Sequence, residues 1–259
     1  MRTNKKMTKK IYVDLIFVLI VFFLQGIVAH ACPLCGAAVD ESADERFNKP
    51  LANLRILYEQ NGKDALPDIR EVLKISTDPW VIQRAANYLV DLDDRESVRQ
   101  MESMLLDLVK QVAFTTFGVG TPGFHSRLSV AYALIRFGPT TVGDRIWEKY
   151  DRLDWNRRSE VAYILSALKD PHLDERMATI LNKEENHQLM QGALEALIVS
   201  GNHQSLPFLR SKVEAWVNKP NGIGTNPRPG EPTINYKWLR MKAETAIFFI
   251  DNRWRRAQQ

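Results

Sequence analysis

Cys32-Pro33-Leu34-Cys35-Gly36 holds the only two cysteines of the 259-residue chain, at a spacing that suits several kinds of chemistry. Covalent attachment of c-type haem requires a histidine directly after the second cysteine, and Gly36 excludes it. A structural zinc needs four ligands, so two would have to come from outside the motif. Thiol redox exchange fits the C-P-x-C pattern, but a lowered thiol pKa there depends on a helix N-terminus in a βαβ setting. No stretch of the chain shows strand alternation that would supply one. A local disulfide with no catalytic task is the plain reading. Cys32 and Cys35 nevertheless stand as the leading candidates for redox or lipid-attachment chemistry.

Their position is set by what precedes them. Lys5, Lys6, Lys9 and Lys10 lead into an uncharged apolar run over residues 15–24, followed by Ala29-His30-Ala31. A basic start, a ten-residue apolar core and small residues at −3 and −1 read as a secretory signal peptide over residues 1–31. Cys32 then begins the mature chain, in a disulfide-permissive periplasm or cell envelope. Residues 28–31 also resemble a bacterial lipoprotein signal, departing from it in His30 at −2 and in lacking Leu at −3. Contact with the membrane would come through a lipidated Cys32 or through an uncleaved leader. The apolar run is short against the roughly 20 residues of a spanning helix. The leader carries five Lys or Arg and one acid, leaving 30 basic and 30 acidic residues in the remainder. The sequence pI near 9.0 therefore belongs to the leader. Nucleic-acid binding, which needs a basic footprint on the folded part, is set aside.

The elements that would carry any site form a repeat. Residues 161–170 (VAYILSALKD) and 192–202 (GALEALIVSGN) share a helical phrase anchored on a small residue, Ala162 and Ala193, 31 residues apart. The phrase recurs at Ala86, Ala131 and Ala243. In that register Leu89, Leu134, Leu165, Ala196 and Ala246 align three residues on, and Leu92, Phe137, Leu168, Val199 and Phe249 six residues on. One helix pair cannot bury its apolar face without neighbours, so a recurring pair is the economical explanation. Helices are predicted over residues 47–60, 64–75, 80–92, 96–112, 124–137, 141–153, 156–168, 173–181, 187–199, 205–217 and 236–251. Asp78-Pro79 and Asp170-Pro171 read as N-cap and first-turn signals, with Gly138-Pro139 a weaker version. Two insertions interrupt the spacing, an uncharged aromatic stretch at 114–124 and a Pro/Gly-rich one at 218–233.

The Ala-anchored second helices and the Asp-Pro starts, over about residues 64–251, resemble the short HEAT-like repeats of phycobilisome lyase-type proteins. That resemblance implies an all-α fold, a right-handed α-solenoid of about five helix pairs occupying residues 47–259 after a Cys-containing linker at 32–46. It leaves function open, since the family includes lyases, hydroxylases and scaffolds. Iron-binding members use His-Glu pairs; here Ala31, Ser126, Leu173, Gln188 and Gln204 follow the five histidines, which argues against a di-iron hydroxylase. His125 and His187 lie at equivalent positions two units apart, and His172 and His203 one unit apart. Helices pack about 8–10 Å apart, too far for such residues to share a metal. No metal site and no cofactor are expected. The clustered acids at 91–94 and 184–185 read as solvated helix ends.

With about 100° per residue, positions 0, +3 and +4 from each anchor face the core, and −2, +1 and +5 point away. Tyr132 and Tyr163 occupy the +1 column, on the side that lines the concave face of a HEAT-like stack. They are the candidate partner-binding residues, with Phe114 and Phe117 of the aromatic insertion as a second candidate surface. The expectation is an exported, non-catalytic binding or scaffolding protein recognising a protein partner. The alternative is a thiol redox or metal-handling protein using Cys32 and Cys35.

Overall fold

The structure is a computed structural model that describes residues 49–107, 122–184, 186–220 and 234–259. The chain divides into two compact units, Met1–Arg55 and Ile56–Gln259. The described part of the first unit is the start of helix α1 (Lys49–Asn61), where Leu51 and Leu54 are buried. The leader and linker expected over residues 1–46 lie outside the described residues, as does most of each insertion.

The second unit is all-helical among its described residues. Beyond the end of α1 it runs through α2 (Leu66–Ile75), α3 (Pro79–Asp91), α4 (Ser97–Leu106), α5 (Pro122–Arg136) and α6 (Val142–Trp147). It continues through α7 (Trp155–Ala167), α8 (Leu173–Lys183), α9 (His187–Ser200), α10 (Leu206–Trp216) and α11 (Tyr236–Ala257). The order follows the predicted one, with local departures. The element expected over 141–153 breaks into α6 and a 3-10 turn at Tyr150–Arg152, where Tyr150 is buried and stacks on Trp147 at 4.8 Å. Helix α11 runs six residues past the expected end at 251. Arg255 and Arg256 sit in its last turn, where cations favour the negative end of the helix dipole.

Helix starts follow the local chemistry of their caps. The Asp78 carboxylate accepts hydrogen bonds from the Trp80 and Val81 amides, with Pro79 at the first helical position. Asn186 serves α9 in the same way, accepting from Gln188 and Leu189. Such caps contribute about 1 kcal/mol each. Asp170 departs from this pattern. It stands ahead of the cap residue His172, accepts only the His172 amide at 2.8 Å, and spends its other oxygen on the Arg176 guanidinium at 2.5 Å. Its task is a buried ion pair rather than a cap.

Packing follows the anchors. Each anchored helix lies against the helix before it, in the pairs α2/α3, α4/α5, α6/α7, α8/α9 and α10/α11. The anchored helices also pack on one another in chain order, α3 on α5, α5 on α7, α7 on α9 and α9 on α11. Ala86, Ala131, Ala162, Ala193 and Ala243 are at most 2% exposed, because a methyl group lets the neighbouring backbone approach closely. The +3 residues Leu89, Leu134, Leu165, Ala196 and Ala246 are equally buried. Each leucine contributes about 1.5–3 kcal/mol relative to an exposed position. The +6 column does not hold this pattern. Leu168 is buried, but Val199 and Phe249 are exposed, since +6 lies at the margin of the inward face and its burial depends on the next helix.

Candidate functional site

Polar contacts join the anchored helices where they pack on one another. Between α3 and α5, Arg136 donates to Asp91 at 2.5 Å and to Asn87 at 3.4 Å. Between α5 and α7, Arg127 donates twice to one oxygen of Glu160, at 2.8 and 2.6 Å. The Tyr163 hydroxyl of α7 donates to Glu195 of α9 at 2.6 Å. Glu195 in turn accepts from Lys242 of α11 at 3.1 Å and from Gln191 of its own helix at 3.1 Å. Each step in the stack of second helices therefore carries at least one charged or charge-assisted contact.

These contacts change character along the stack. Arg136 and Asp91 are exposed, and pairs of that kind contribute about 0–1 kcal/mol. Glu160 is fully buried and Arg127 nearly so, a setting in which removing one ion of a pair is costly. Burial, and then the Glu195 carboxylate, push the Tyr163 hydroxyl well above the usual phenol range, so it stays a donor. The Tyr163 ring packs against Gly192, where an added Cβ would lie 3.3 Å from Cε2. Lys242 also lies 4.9 Å from the centre of the Trp238 ring, whose other neighbour is His187 at 5.2 Å. Burial lowers the His187 pKa, and its Nδ1 has no hydrogen-bond partner among the described residues.

Of the candidate residues, Tyr132 is half-buried on α5, while Tyr163 is 5% exposed and engaged with Glu195. Tyr163 is buried where α9 packs on α7, whereas Tyr132 keeps part of its side chain at the surface. Phe114, Phe117, Cys32 and Cys35 lie outside the described residues. His172 and His203 are exposed at the starts of α8 and of the turn before α10, and His203 stacks on Trp254. Among the described residues no cluster of three or more His, Cys, Asp or Glu is arranged to hold a metal. No described helix is long and apolar enough to cross a membrane.

Sequence reasoning missed two features. Helices α3 and α7 end in the same turn, with Asp93 and Lys169 in left-handed conformation at φ 51°. The following amides close back on Leu89 and Leu165, at 2.8 and 3.0 Å. This Schellman closure turns the next residue inward, so Asp94 meets Arg70 and Asp170 meets Arg176. The signal was present as Leu-Asp-Asp and Leu-Lys-Asp at matching register, without the glycine that marks such turns. The second is Arg253, which the repeat register does not single out. Its guanidinium donates to the carbonyls of Ile198, Leu197 and Gly201 at 2.6, 3.1 and 2.8 Å, closing the C-terminus of α9.

Among known protein families, curated proteins and solved structures, none matches this chain.

Proposed function

We propose that the chain is an exported binding or scaffolding protein, a right-handed HEAT-like α-solenoid of about five helix pairs, without catalytic activity of its own. Its partner is a protein, recognised on the outward side of the second helices. The observation that carries this reading is the stacking of α3, α5, α7, α9 and α11 in chain order, joined by a polar contact at each step. Helices held in one register are preorganised, and preorganisation lowers the ordering cost of binding. The half-buried Tyr132 offers that surface an apolar ring with a polar tip.

Site-directed photocrosslinking of the full chain in its own cell envelope tests the reading. A crosslinkable residue at Tyr132 should give one discrete adduct, and the same residue at Glu71, exposed on α2, should not. Adducts of equal yield at both positions, or at neither, would remove the second-helix surface from consideration.

A further inference from the structure

We propose that His187 makes the hold of α9 on the start of α11 sensitive to acid, protonation of its imidazole releasing the first turns of α11. His187 is the first residue of α9, and its ring packs against Trp238 of α11 at 5.2 Å. Trp238 lies in the first turn of α11, where its amide donates to the Asn235 cap at 3.0 Å. The contact therefore joins one helix start to another.

The two nitrogens of the imidazole are not equivalent. Nδ1 is enclosed and has no hydrogen-bond partner among the described residues, although the side chain as a whole is only half-buried. A neutral ring can leave Nδ1 bare and carry its hydrogen on Nε2. The imidazolium carries a hydrogen on both, which encloses an N–H donor with no acceptor, and a donor left that way is costly. A helix N-terminus also disfavours added positive charge. Trp238 offers little relief, because its ring already holds the Lys242 ammonium at 4.9 Å.

Helices α7, α8 and α11 pack against α9. Of their charged groups, Glu160 of α7 is held by Arg127, and Arg158 of α7 by Glu184. Lys183 of α8 pairs with Asp151, and on α11 Arg240 pairs with Glu244, Lys242 with Glu195, and Lys237 is exposed. None of these acts on the imidazole, and burial alone lowers its pKa. The folded chain thus gives up this proton at pH values where the unfolded chain still holds it. The contribution of the contact is complete above the ordinary histidine value of about 6.5 and falls as pH drops from there through the lowered folded value. The far end of α11 is tied differently, by the Arg253 guanidinium on carbonyls of α9, a group that stays charged throughout this range. His203, which stacks on Trp254 there, is exposed, so its imidazolium stays hydrated. Acid should therefore loosen one end of the helix and spare the other.

Nitrogen NMR of the full chain reads the imidazole, and amide hydrogen exchange reads the helix. The neutral His187 ring should carry its hydrogen on Nε2 and titrate below about 6.5. After division by intrinsic exchange rates, opening at the amides of residues 241–243 should rise at least about threefold between about pH 7.5 and about pH 5. Opening at residues 251–253 should change less. His187→Phe keeps a ring on Trp238 and cannot be protonated, so the rise should disappear. A neutral hydrogen on Nδ1, titration at or above the ordinary value, no rise at 241–243, an equal rise at both ends, or a rise that survives His187→Phe overturns the proposal. The titration and exchange of the unaltered chain keep the test decisive if the variant does not fold.

Discussion

In α7 every side chain from Ser159 to Leu168 is buried, whereas α11 buries Tyr236, Leu239, Ala243, Ala246 and Ile250 and leaves Met241 and Phe248 exposed on its far side. The two helices carry the same anchor phrase in the same register. Their neighbours differ, since α7 packs on α5 and on α9 as well as on α6 and α8, while α11 packs on α9 and α10. Columns that repeat as outward positions thus hold Tyr163 and Ala167 in the enclosed helix, and Glu244 and Phe248 in the exposed one. A repeat phrase specifies which side of a helix faces its own pair. The number of flanking helices decides what becomes of the other side, and the polar contacts of α7 are costly to disturb for that reason.

The largest expected effect breaks the contrast at its buried end. Glu160→Ala leaves the Arg127 guanidinium without its carboxylate in an enclosed position and should cost about 3–5 kcal/mol. Urea unfolding monitored by circular dichroism reads this directly. The double change Arg127→Met with Glu160→Leu should recover most of that loss, because it removes both charges rather than one. A loss under about 1 kcal/mol for Glu160→Ala would mean that water reaches the pair and that α7 is more enclosed than α11 only in degree.

Tyr163→Phe removes one hydroxyl and keeps the ring against Gly192. The lost hydrogen bond to the Glu195 carboxylate should cost about 1.5–3 kcal/mol. The same measurement on Lys242→Met asks what Glu195 contributes toward α11, where Lys242 is partly solvated. That loss should be the smaller of the two, at most about 1 kcal/mol.

A graded effect with pH sharpens the comparison at the end of α7. Burial raises the Asp170 carboxyl more than the neighbouring Arg176 guanidinium lowers it. The folded chain then holds this proton at pH values where the unfolded chain has released it. Its contribution to stability is complete below the unfolded carboxylate value and declines as pH rises through the raised folded value. The stability difference between wild type and Asp170→Asn should therefore move in favour of wild type as pH falls through that window. A difference that moves the other way would show that the Arg176 pairing outweighs burial.

The smallest effect is expected at the exposed end. Phe248→Ser removes an apolar side chain already half in water and should change unfolding free energy by no more than about 0.5 kcal/mol. A loss several times larger would show that the outward side of α11 is part of the fold, and would remove the contrast with α7 altogether.

Periodicity within the sequence was enough to specify the helical class, the order of the helices and the anchor and +3 columns, whereas the +4 residues Val90, Ile135 and Ile247 are only half-buried. Alanine at each anchor and an apolar residue three positions on are properties of a single helix, and all ten of those residues are buried. Asp78 was equally legible, since a cap side chain meets amides two and three residues away. Tertiary structure alone decided the rest. Tyr163 meets a carboxylate 32 residues away, Arg127 one 33 residues away, and Arg253 carbonyls as far as 56 residues away. A local pattern records which side of its own helix a residue occupies, but not which neighbour arrives on the opposite side. Tyr132 and Tyr163 share one column of the repeat, yet α9 brings Glu195 and Gly192 against Tyr163 and buries it, a pairing that exists only once the helices have stacked.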